Sequence, residues 1–197
     1  TLFVCVLVGS ALFVGLSSLN ASFDAILGHS SPVDARIFGV TPQTDTAQLT
    51  KQVKAVDGIK DVTYVPSLGL TQTVDGESKD INVDVIDTGA IAPIARSTSG
   101  LEGLDDKTLI VGGIYNIPDG STVTLTGAAG SVELTAHVPE GWGAAVSPAV
   151  AQRLNGDSPT NATMWVRSTG NSMTSATEHS LVAAVRGQTL MVQGSAA

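Results

Sequence analysis

From Thr1 to Phe23 the chain reads TLFVCVLVGSALFVGLSSLNASF, without one charged side chain, and Leu2 to Leu16 is almost unbroken apolar sequence relieved by glycines and Ser10. A bilayer core of about 30 Å needs about 20 helical residues at about 1.5 Å each, and the run reaches that length only through Ser17, Ser18 and Leu19. The leading reading is a transmembrane helix. A secretory signal peptide would open on positive charge and close on a small-residue cleavage site, and neither Lys nor Arg precedes the run. A core helix of a soluble domain is the third reading, because a helix apolar all round is also what a buried one looks like. The chain starts with Thr, and the expectation is a segment of a longer protein.

Beyond the apolar run Phe23, Ile26 and Leu27 keep helical spacing while the other positions turn polar, so the helix is expected to continue as a short stalk. Gly28 supplies a stop, and His29-Ser30-Ser31-Pro32 does not continue a helix. Residues 1–28 are therefore read as transmembrane and stalk helix. The rest, about 170 residues, is enough for one domain or two small lobes with a real core.

Ten Lys and Arg stand against eighteen Asp and Glu, a formal charge of −8, and no basic stripe occurs, which argues against a nucleic-acid partner. Cys5 is the single cysteine, so no disulfide forms within the chain and a cysteine-built zinc site is excluded. Gly, Ala, Ser, Thr and Val dominate, a composition suited to short strands and tight turns.

Ala35 to Val40 reads as a strand after a Pro-containing turn. A helical pattern follows from Thr46 to Asp57, with Leu49, Val53 and Val56 on one face and Gly58 as stop; Asp61 to Val65 is the next strand. The end of the chain repeats the plan. Met164 to Arg167 is a strand, Ser175 and Glu178 have capping-box spacing before Leu181, Val182 and Val185, Gly187 ends the helix, and Thr189 to Val192 returns as a strand. Two such β-α-β units imply an α+β fold with a ferredoxin-like split sheet and its helices on one face.

The middle differs. Ile81 to Ile86 is a strand leaving the first unit, after a polar QTVDGESKD loop. Gly89 to Gly103 holds one short helix or none, Thr108 to Val111 is a buried strand, and Pro118-Asp119-Gly120 is a turn. Thr122 to Thr126 and Ser131 to Val138 form a hairpin across Gly127-Ala128-Ala129-Gly130, and a short helix starts near Ser147-Pro148. The expected division is an α/β lobe of residues 29–86 and 163–197, interrupted by a β-rich lobe of residues 87–162.

These pieces carry a resemblance. An apolar helix ending in SLNASFDAIL before DARIFGV, a helix ending in AVDGIKDVTYV, the turn and strand IPDGSTVTL, and the strand, Ser-Pro and short helix of AAVSPAVAQRL together resemble the extracytoplasmic domain of FtsX-like and MacB-like ABC-transporter permeases. The resemblance covers essentially the whole chain and lies in the order of short motifs. It implies a porter-type α/β lobe interrupted by a β-rich one, a location at the cell membrane on the extracytoplasmic side, and contact with membrane lipid. It also implies a non-catalytic coupling role, a cytoplasmic ATPase subunit or domain, and a second copy or related permease as dimer partner. The external substrate or partner is left unnamed. An anchored or secreted ligand-binding or adhesion domain is the alternative from another class.

Catalytic chemistry finds little support in the residues. His29, His137 and His179 share no ligand spacing, no G-x-S-x-G elbow or phosphate-binding loop occurs, and neither Asp75, Glu77 and Asp80 nor Glu102, Asp105 and Asp106 matches a calcium loop. No metal, cofactor or catalytic residue is assigned. Asn20-Ala21-Ser22 and Asn161-Ala162-Thr163 match the glycosylation sequon, a short and common pattern. Trp165 is read as core. Trp142, among glycines in PEGWG, is the candidate for an exposed contact with a partner, with a structural plug as its equal alternative.

Overall fold

The computed structural model describes residues 32–194. In chain order the elements are β1 (Ala35–Val40), α1 (Thr46–Lys54), β2 (Ile59–Val74), β3 (Glu77–Val85), α2 (Thr88–Ile91), β4 (Thr108–Ile110), a 3-10 turn (Gly113–Tyr115), β5 (Thr122–Thr126), β6 (Ser131–His137), β7 (Ala145–Val146), α3 (Pro148–Asn155), β8 (Asn161–Ser168), α4 (Ser175–Ala184) and β9 (Met191–Gly194). The expected membrane span and stalk, Cys5, His29 and the first sequon lie outside the described residues. No helix among the described residues is long and apolar enough to cross a membrane.

Two strand systems share β2. In the first, the order is β9-β1-β8-β2 with every neighbouring pair antiparallel, so β1 runs parallel to β2 with β8 between them, and β8 parallel to β9 with β1 between them. α1 and α4 make those two crossovers. Their apolar residues, Leu49 and Val53 from one and Leu181 from the other, pack with Ala35, Ile37, Met164 and Val166 in one buried cluster. α1 forms where it does because Asp45 accepts from the Gln48 amide at 2.9 Å and Leu49 and Val53 fall one turn apart. α4 corrects the capping-box expectation: the N-cap is Thr174, whose hydroxyl accepts from the Thr177 amide. Glu178 is then one position too late to close the box.

In the second system the far half of β2 pairs with β3, β3 with β7, β7 with β4, β4 with β6, β6 with β5, and β5 again with β2, so six strands close into a ring. Leu70, Val83, Leu109, Leu125 and Leu134 fill its interior, and Val150 and Leu154 of α3 join the same cluster. Alternation along β6, with Val132, Leu134 and Ala136 buried and the residues between exposed, is the period-two pattern that the hairpin reading rests on. Ser147 caps α3 and Pro148 occupies its first turn, as expected.

β2 is far longer than the five-residue strand expected at Asp61 to Val65. It runs for 16 residues through Pro66 and Gly69. Ser67 pairs on both sides, with Asn161 of β8 and Asp84 of β3. Pro66 is tolerated because it belongs to the half of β2 that is paired with β8 alone, where an amide can be missing on the open side. The polar QTVDGESKD segment is likewise no loop. Val74 pairs with Glu77, and Asp75 and Gly76 between them take φ of 49° and 83°, the two positive values that a tight Asp-Gly hairpin requires.

Candidate functional site

A third apolar cluster lies between the other two and is built from all parts of the chain: Val33 ahead of β1, Val65 of β2, Ile91 and Ile94 in and after α2, Trp142, and Trp165 of β8. The polar group beside it is Asp34. Although 2 % exposed, its carboxylate is fully engaged: Arg96 Nε and Nη2 donate to its two oxygens at 2.7 Å each, and the Ser168 amide and hydroxyl donate at 2.8 and 3.0 Å. Arg96 extends the network by donating from Nη2 to the Gly170 carbonyl at 2.7 Å and from its backbone amide to the Pro32 carbonyl at 2.5 Å. A charge taken from water is tolerated only when paired and hydrogen-bonded, and a two-pronged guanidinium with two further donors meets that condition.

This network is a clasp on the segment that leads into β1. Pro32 and Asp34 are both gripped by Arg96, which follows α2, while Ser168 and Gly170 bring in the end of β8. Sequence reasoning missed it. The partners are 62 and 134 residues apart, and the one local signal is a carboxylate, Asp34, set between Val33 and Ala35 in an apolar entry to a strand.

Trp142 is not an exposed loop aromatic. It is 8 % exposed, its indole N–H donates to the Ser99 carbonyl at 2.6 Å, and its ring lies 6.3 Å from that of Trp165. Glycines distant in sequence, Gly100 and Gly112, allow close approach to it. A Cβ on Gly100 would come within 3.1 Å of the Trp142 ring and 2.7 Å of Pro139. Trp165 is fully buried, and the Arg36 guanidinium lies over its ring, Cζ 4.8 Å from the centroid.

The remaining sequence candidates are dispersed. His137 pairs with Asp119 at 3.1 Å on the surface of the ring of strands, and the Val138 amide followed by His137 holds the Asp119 carboxyl below the usual range. His179 is on α4. Asp105 accepts from the Lys107 amide and the Thr108 hydroxyl, which lower its pKa, and Glu102 accepts from the Gly100 amide, so these carboxylates shape their own turns. Among the described residues no group of three or more His, Cys, Asp or Glu is placed to hold a metal ion.

No protein-family model and no curated protein matches the sequence. Among solved structures the chain is similar to the periplasmic region of MacB from Actinobacillus actinomycetemcomitans, at 10 % identity and a TM-score of 0.43, covering 87 % of this chain and 92 % of that one. It is also similar to the extracellular domain of the noncanonic ABC-type transporter YknZ from Gram-positive bacteria, at 13 % identity and a TM-score of 0.38, covering 82 % and 99 %.

Proposed function

We propose that this chain is the extracytoplasmic domain of an ABC-transporter permease subunit, a non-catalytic element that couples movement of membrane helices to a substrate or partner outside. Residues 1–28 are the first membrane helix and its stalk, the β9-β1-β8-β2 sheet with α1 and α4 is a ferredoxin-like, porter-type lobe, and the ring of strands is the inserted β-rich lobe. A cytoplasmic ATPase subunit hydrolyses ATP, and a second permease copy or a relative completes the dimer. The domain stands on the outer side of the cell membrane.

The observation that carries the reading is the clasp. Displacement of Pro32 and Asp34 acts at once on the segment after α2 and on the end of β8, so a pull from the preceding residues moves the β1-containing sheet and the middle cluster together. Such a junction suits transmission better than catalysis. The test is purification of the full-length protein from detergent-solubilised membranes, with Arg96→Ala beside the wild type. A co-purifying ATPase whose hydrolysis is altered by Arg96→Ala while the complex stays assembled supports coupling through this domain. Absence of any ATPase, with release of the protein by severing one anchor, overturns the reading in favour of an anchored binding or adhesion domain.

A further inference from the structure

Three buried donors, Arg36 Nε, Trp165 Nε1 and Arg167 Nη1, have no acceptor among the described residues. They belong together. Arg36 and Trp165 are direct partners in the β1–β8 register, and Arg167 stands two residues further along β8, so all three side chains leave one face of the sheet, opposite α1 and α4. Buried donors are almost always paired, and three orphans side by side mark a place where acceptors are missing.

The charges around them have been accounted for by their partners. Asp34 is engaged by Arg96 and Ser168, and Asp61, the register partner of Arg167 in the β2–β8 pair, is taken by Lys54 at 2.6 Å. Asp84 alternates with Ile81 and Val83 of the ring interior and so points outward from the ring, where its charge acts on Arg36. No ion pair within 4.0 Å joins the two among the described residues. Among the described residues, therefore, neither Arg36 nor Arg167 has a carboxylate within 4.0 Å, in a protein of net charge −8.

We propose that this patch, on the face of β1 and β8 turned towards Asp84, binds a small monocarboxylate. A carboxylate brings the negative charge that two guanidiniums favour, and its two oxygens carry enough lone pairs for Arg36 Nε, Arg167 Nη1 and the indole N–H. The site goes beyond the coupling role proposed above and does not depend on it.

The two tryptophans provide the readout. In the full chain held in detergent micelles, with 15N-labelled indoles, sodium acetate is titrated against sodium chloride at matched ionic strength. The Trp165 indole resonance is expected to move saturably with acetate alone, while that of Trp142, already bonded to the Ser99 carbonyl, stays in place. Arg36→Gln and Arg167→Gln each remove a charge-assisted donor and are expected to weaken acetate about tenfold or more, with the Trp142 resonance unmoved as the sign of an intact fold. The proposal is overturned if Trp165 does not move, if it follows chloride equally, or if folded variants bind as the wild type does. Should either variant fail to fold, the wild-type titration decides alone.

Discussion

Burial holds the Asp84 carboxyl above the usual carboxylate range, and the Arg36 charge nearby offsets only part of that. In the unfolded chain an Asp ionises near pH 3.9, about the value of a free side chain. Between that pH and the raised folded value the native protein binds more protons than the unfolded one, so this group lowers stability as pH rises through the window. Asp84→Asn removes the effect. The variant is expected to resist urea better than the wild type at pH 7, with the gap closing below about pH 3.9, the free-Asp value. A wild type that is the more stable at pH 7 would show that Arg36 outweighs the burial. At Asp34 the donors are in place: Asp34→Ala leaves the Arg96 guanidinium, whose side chain is 23 % exposed, without its carboxylate partner, and is expected to cost about 3 kcal/mol in urea unfolding. Neither setting can be read from a linear pattern. The clasp joins residues far apart in sequence, and the sequence leaves Trp142 open between an exposed contact and a structural plug, because what packs against a tryptophan among glycines is not a local property; its burial favours the plug.

The helices and the β5–β6 hairpin were legible because their periodicity is local and their ends carry glycine, proline or hydroxyl caps. β2 was not, because Pro66 and Gly69 are breakers by type and are tolerated only through the pairing of that strand. The Asp75-Gly76 turn carries a strong short-range hairpin signal, but the polar residues around it lack the apolar alternation that would mark the flanking strands. The α4 cap offers a direct test of assignment by structure against assignment by spacing. With Thr174 as N-cap, Thr174→Ala is expected to cost about 1 kcal/mol, while Ser175→Ala, already inside the helix, stays within about 0.5 kcal/mol. Thermal unfolding of the two variants decides it. Equal losses, or a larger one at Ser175, would restore the capping-box reading.

At the scale of the whole molecule a mixed, sheet-dominated α/β fold was readable from the order of elements, but the closure of the ring was not. Two of the links that close it, β3–β7 and β4–β7, involve a strand of two residues, too short to show any period. Closure matters because it fixes how the parts unfold. Two lobes joined only by flexible linkers would melt separately. Here β2 is a continuous strand of both systems, and the cluster around Trp142 and Trp165 draws on Val33, Val65, Ile91, Ile110 and Ala145, residues from either side of the junction. Loosening one system exposes this shared core and strips β2 of its partners in that system, β8 in one case and β3 and β5 in the other, so the free energies of the two are tied. Urea unfolding followed by tryptophan fluorescence, which reports the middle cluster, and by far-UV circular dichroism, which reports the strands of both systems, is expected to give one superimposable transition. Two separated transitions, with fluorescence following only one, would show that the lobes fold independently and that β2 does not bind them into one cooperative unit.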